Sequence, residues 1–132
     1  LQALIQLGRM EEAGQVVESL PEEVVSWWPC LQSEYFAAVG DRGQALACFD
    51  RLRASGRGVW PRQEVIVLAW LGDLDRAFEI LEQMFAAKGF VYWFPSDPAF
   101  DPLREDPRYD MLLAEMGLEC RYYEDGHDCF QR

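Results

Sequence analysis

One histidine and one lysine stand in 132 residues. These scarcities exclude a good deal. A single imidazole, His127, leaves the usual nucleophile–histidine arrangements without a well-placed base. No serine sits in a nucleophile-elbow pattern, and no glycine-rich loop is spaced to cradle phosphates. Basic residues number 12, eleven of them arginine, against 23 acidic ones, a net charge of −11. Phosphate-backbone binding needs a basic footprint, so nucleic acid and anionic membrane surfaces are poor partners for this chain. No apolar run reaches the length of a membrane span, and no signal peptide is visible. The expectation is an absence of catalytic machinery, metal and cofactor.

Half of the residues are apolar and aromatics make up 14%. That is enough to bury a core in one domain. The first residue is not Met and already belongs to a helical pattern, which reads as a fragment of a longer protein.

A short phrase recurs three times: Leu7-Gly8-Arg9, Val39-Gly40-Asp41 and Leu71-Gly72-Asp73. The stride is 32 residues both times, and Ala13, Ala45 and Ala77 keep step five residues past each glycine. So do Val17, Phe49 and Leu81, then Leu20, Leu52 and Met84, and, twice, Trp28-Pro29 and Trp60-Pro61. A fixed period of this size marks stacked supersecondary units. Glycine after an apolar helical run is a left-handed stop. Aspartate behind it can cap the next helix, a role open to Asp41 and Asp73 but not to Arg9. Each phrase therefore predicts a tight helix–turn–helix, with the alanine where two helices approach closely.

Along the chain, residues 1–7 read as the end of a helix and 9–19 as its partner. Pro21 breaks the run, and Ser26 is the expected cap of a helix over 27–39, with Pro29 in its first turn. Helices follow from Asp41 to Ala54, Pro61 to Leu71 and Asp73 to Lys88. After Gly89 comes the aromatic run Phe90-Val91-Tyr92-Trp93-Phe94-Pro95. Three Asp-Pro pairs then combine a cap with a first helical residue, at 97–98, 101–102 and 106–107. They predict short turns at 98–100 and 102–105 and a helix over 107–116, stopped at Gly117. Residues 119–132 carry no period and read as a loose tail, so the domain is placed at 1–118 with its capping segment at 90–118.

The Gly-Asp/Ala units resemble tetratricopeptide repeats over roughly residues 1–88. The segment Asp97-Pro98-Ala99-Phe100-Asp101-Pro102-Leu103-Arg104-Glu105-Asp106-Pro107-Arg108-Tyr109, with Leu112-Leu113 and Met116-Gly117-Leu118, resembles the closing segment of such regions in bacterial multidomain proteins. These include winged-helix transcriptional regulators, nucleotide cyclases and serine/threonine kinases. The resemblance implies an all-α fold: a superhelix of about three helix hairpins plus a C-terminal capping helix. It departs from the family in its stride of 32 rather than 34 and in Arg9.

The same resemblance implies a concave groove lined by the first helix of each pair. In that phase the groove carries Trp27, Leu31, Glu34 and Ala38, then Arg62, Ile66 and Trp70. A protein or peptide partner would bind there. The family's basic clamp for a partner's carboxylate needs Lys, Arg or Asn at groove positions. Cys30 and Glu34 stand there instead, so that mode is disfavoured. The aromatic cluster with Phe100 is expected to close the open end of the stack, with Arg104 and Arg108 bonding acids or carbonyls of the last repeat. The leading expectation is a non-enzymatic interaction module, the regulatory part of a larger bacterial protein. It is placed in the cytoplasm, or in the periplasm if the parent is membrane-anchored. The rival is a small-molecule sensor domain of a winged-helix regulator, and self-association through the truncated first repeat is a further option.

Cys30 and Cys48 fall in helical patterns and read as small buried hydrophobes. Cys120 and Cys129 are open between a disulfide and two thiols in the tail. With His127 they match no compact zinc spacing.

Overall fold

The computed structural model describes residues 1–87, 97–123 and 126–131, with 118–131 as backbone only. Among the described residues the regular structure is helical apart from one hairpin. In order it runs α1 (Gln2–Gln6), α2 (Met10–Glu18), α3 (Glu22–Trp27), α4 (Ser33–Ala38), α5 (Arg42–Ala54), α6 (Pro61–Trp70) and α7 (Leu74–Ala86). A 3₁₀ segment (Pro98–Leu103), α8 (Pro107–Glu115) and strands β1 (Leu118–Tyr123) and β2 (Gly126–Gln131) complete it. No described helix is long and apolar enough to cross a membrane.

The recurring glycines act as stops. Gly8, Gly40 and Gly72 have φ of +70°, +80° and +76°, the left-handed region that costs a side-chain-bearing residue most. Each is followed by the antiparallel partner helix, giving the packed pairs α1/α2, α4/α5 and α6/α7. Ala13, Ala45 and Ala77 are fully buried where the paired helices approach. Phe49 and Leu81, one helical turn further on the same face, are buried with them.

The caps divide by role. Asp41 caps α5 by accepting from the Gln44 backbone N–H at 3.0 Å. Asp73 occupies the equivalent position without a side-chain capping bond; its carboxylate accepts instead from Arg42 Nη2 at 2.8 Å. Asp97 and Asp106 accept from the N–H groups of Ala99 and Arg108 and start the 3₁₀ segment and α8. Gly117, with φ +69°, stops α8.

Two stretches differ from their sequence reading. The expected helix over 27–39 is broken: Ser26 lies inside α3 rather than capping a helix, and Trp28–Gln32 form a link. Pro29 pushes the residue before it out of the helical region. Trp28 accordingly has φ −125° and ψ 70°, and Cys30 has φ +72°. The tail read as loose contains an antiparallel hairpin, in which Leu118 pairs with Gln131 and Tyr123 with Gly126.

Two apolar clusters share the interior. One joins α6 and α7 to Phe100, Leu103, Tyr109, Leu112 and Leu113 of the closing segment. The other gathers Cys30, Ala37, Ala45, Phe49 and Val67 between the second and third pairs. Leu46 and Trp70 border both, so the clusters are continuous. Helix α6 is the centre: Gln63 through Ala69 are all buried.

Candidate functional site

Helix α6 is covered along Gln63–Ala69, and that decides what the face expected to form a groove can do. The 3₁₀ segment lies on α6 and reaches α1, while α4 packs against both α6 and α1. Arg62 makes an ion pair with Asp97, and its guanidinium sits 5.6 Å from the Phe100 ring centroid. Ile66 is fully buried, and Trp70 is half-buried between the two clusters. Glu34 is buried as well. Burial raises its pKa; the facing Arg62 pulls it down and Asp97 pushes it up. Leu31 is half-buried beside the Trp28–Gln32 link.

The six residues expected to form one groove stripe therefore separate. Glu34, Arg62, Ile66 and Trp70 belong to a face filled by the chain's own closing segment. Trp27 stands outside it, 87% exposed. Two causes act together. The break at Pro29 detaches the phase of Trp27 from that of Glu34. The Asp97–Leu103 stretch then occupies the surface that helical spacing alone leaves open.

Arg104 and Arg108 do hold the closing segment. Arg104 donates to Asp101 Oδ1 at 2.6 Å and to the Asp97 carbonyl at 3.2 Å, and packs 5.5 Å from the Tyr109 ring centroid. Arg108 donates to Asp106 at 2.7 Å and, across to α7, to Asp75 at 2.8 Å, lying 4.5 Å over Phe78. Its hydrogen bonds bring the Asp106 carboxyl down to about 2. The aromatic run 90–94 and the side chains of Cys120, His127 and Cys129 lie outside the described residues.

A different surface collects exposed apolar area. Trp28 and Trp60 are each the residue before a proline, 32 positions apart. The fold brings them edge to face, centroids 5.9 Å apart at 61°. They remain 52% and 61% exposed beside Trp27. With Arg57, Leu52 and Gln63 they line a cavity of about 90 Å³. Tryptophan before proline is a local event, but the meeting of two such tryptophans requires the pairs to stack one repeat apart. The repeated Trp-Pro is the sequence signal for this patch.

Beneath the patch lies a disulfide. Cys30 and Cys48 are bonded, 18 positions apart in sequence and with Cα atoms 5.3 Å apart. This corrects their reading as separate buried thiols. Cys30 is buried within the second apolar cluster and Cys48 packs against it from α5, met by the left-handed turn at Cys30. Gln63 Nε2 donates to the Cys30 carbonyl at 2.9 Å, tying the same residue to α6. A cavity of about 330 Å³ opens beside both cysteines, lined also by Leu31, Phe36 and Arg51.

No family model, no curated protein and no solved structure matches this chain.

Proposed function

We propose that the chain is a tetratricopeptide-like superhelix of three helix hairpins closed by its C-terminal segment, and that it binds a protein partner without catalysing a reaction. The constant stride, the three left-handed glycines and the Trp28–Trp60 contact support the architecture. As part of a larger bacterial protein it would serve as the regulatory, partner-reading module. The observation that carries the binding role is the exposure of Trp27, Trp28 and Trp60 on one patch. Large aromatic side chains left in water at one place are the side chains from which interfaces draw most of their energy.

The occupant is a cationic segment with an apolar anchor. Glu23 lies one helical turn before Trp27 and Glu22 flanks it on the same exposed helix, two carboxylates against the one guanidinium, Arg57, that lines the tryptophan cavity. The whole chain carries −11, so a basic partner is steered toward it and an acidic one is repelled.

A peptide library selected on the immobilised domain tests this. Enriched sequences should combine Lys or Arg with a bulky apolar residue. Trp27→Ala and Trp60→Ala should each weaken the selected peptides by about tenfold or more with the helical signal intact. Peptides that bind both variants as well as the parent chain, or a selection that enriches nothing, would overturn the assignment.

One observation favours the sensor reading instead. The cavity beside the disulfide, about 330 Å³, matches the lower size range of small-molecule sites. A metabolite that raises Tm in a concentration-dependent way would support it; no shift across a broad metabolite set would remove it.

A further inference from the structure

The link that carries Trp28 is held at one point from two sides. Cys30 is bonded covalently to α5 and through its carbonyl to Gln63 of α6. Its φ of +72° is a conformation a non-glycine residue adopts only when its surroundings hold it there. Trp28 stands two residues before this anchor and meets Trp60 at the mouth of α6. The link's other bonds are local, among them Leu31 N–H to the Trp28 carbonyl at 3.2 Å and Ser33 N–H to the Cys30 carbonyl at 3.0 Å, while on its other side α3 has no buried residue and its last residue, Trp27, is in water.

The remaining two cysteines are also brought opposite one another. The hairpin register places Cys120 across from Cys129. Thus all four cysteines of the chain occupy paired positions. The Cys30–Cys48 bond itself is one that persists in an oxidising compartment.

We propose that the tryptophan patch is under thiol–disulfide control: closing Cys30–Cys48 sets Trp28 against Trp60, and opening it releases the link and dissolves the patch. This rests on the partner-binding reading given above, whose site it regulates. The exchange is balanced by a disulfide-bearing oxidant. Cys48, half-buried at the open cavity, attacks that disulfide as a thiolate and forms a mixed disulfide, expelling one thiol of the oxidant. Cys30 then attacks the Cys48 sulfur. The Cys30–Cys48 bond forms, the second oxidant thiol leaves, and two electrons and two protons have passed from the chain to the oxidant. Arg51 lines the same cavity, and a nearby cation favours the attacking thiolate. An oxidised working form suits the periplasmic placement better than the cytoplasmic one.

The test uses the whole chain purified without reductant. Thiol alkylation in denaturant should leave Cys30 and Cys48 unlabelled, and peptide mapping should recover Cys30 joined to Cys48. The coupled-aromatic circular dichroism of the Trp28–Trp60 pair, defined as the difference from Trp60→Phe, should be present. It should vanish in the reduced chain and in Cys48→Ala, while the far-ultraviolet helical signal stays. Peptides selected on the oxidised chain should then lose at least tenfold in affinity on reduction. A pair signal that survives verified reduction would overturn the proposal, as would free thiols at 30 and 48 in the oxidised preparation. Loss of the helical signal together with the pair signal would also overturn it, since the bond would then hold the domain rather than the patch. If Cys48→Ala does not fold, the reduced parent chain decides alone. The thiol and dichroism readings need no partner, so an oxidised chain that binds no peptide sinks the partner-binding reading and leaves these two standing.

Discussion

Gly72 and Gly58 separate what a glycine's backbone does from what its small size does. A Cβ built on either meets nothing within 4 Å, so neither position is crowded. Gly72 alone has a left-handed φ. Gly72→Ala should therefore cost about 1–2 kcal/mol through the backbone alone. Gly58→Ala should be neutral or slightly stabilising, and urea unfolding of the two variants checks the contrast. Glu34 makes a different point at the same scale. Burial is the largest influence on its carboxyl and raises its pKa, against the pull of Arg62. A carboxylate whose folded pKa is raised opposes folding where it is ionised and stops doing so once protonated. Glu34→Gln should therefore raise Tm at neutral pH and have little effect in acid, where the native side chain already carries a proton. An equal effect at both pH values would mean the penalty is steric rather than electrostatic.

Among elements, the closing segment is tied together by Arg104 as well as by its buried apolar residues. The side chain of Arg104 is nearly buried and bridges Asp101, the Asp97 carbonyl and Tyr109. Arg104→Ala should cost about 2–3 kcal/mol, because it removes the bonds to Asp101, the Asp97 carbonyl and Tyr109 together with the packing on the Tyr109 ring. Arg104→Lys should recover only part of that, since one ammonium cannot span the three directions of a guanidinium. Equal stability of the Lys variant and the parent chain in chemical denaturation would show that charge alone suffices. The Cys30–Cys48 bond joins residues 18 positions apart. Reduction should cost about 3 kcal/mol by chain entropy, readable as a lower denaturation midpoint in reductant.

On the scale of the whole molecule, acid has two opposing effects. Asp106 is drawn down to about 2 by the Arg108 side chain and backbone, and Asp41 is lowered by its capping bonds to Gln44. Groups with depressed pKa add stability above their unfolded pKa and lose it as pH falls through the folded value. Glu34 has the reverse sign. Net repulsion at −11 also fades as carboxylates protonate. Tm should therefore rise as pH drops from neutral, peak at about pH 4–5, and fall as the pH approaches 2. A Tm that declines monotonically from neutral pH would mean that the capping carboxylates outweigh both other effects.

Local chemistry was enough to place the helix pairs. A glycine stop, a buried alanine and an Asp-Pro start act through a few neighbouring residues, so Gly40, Ala45 and Asp106–Pro107 were legible from their own surroundings. The contiguous helix read over 27–39 missed because Pro29 is allowed in a first turn, and only the packing of Cys30 against α5 and α6 selects the break instead. The groove stripe missed for a related reason. Helical spacing orders Glu34, Arg62 and Ile66 on their own helices, but it carries no information about the 3₁₀ segment that later folds over them. The sequence by itself determined the stride and the turns, since those are settled within one helix pair. The tertiary structure decided which cysteines meet, which tryptophans stay in water and which face is closed. Each of these is a contact between residues far apart in the chain, set by how the pairs stack.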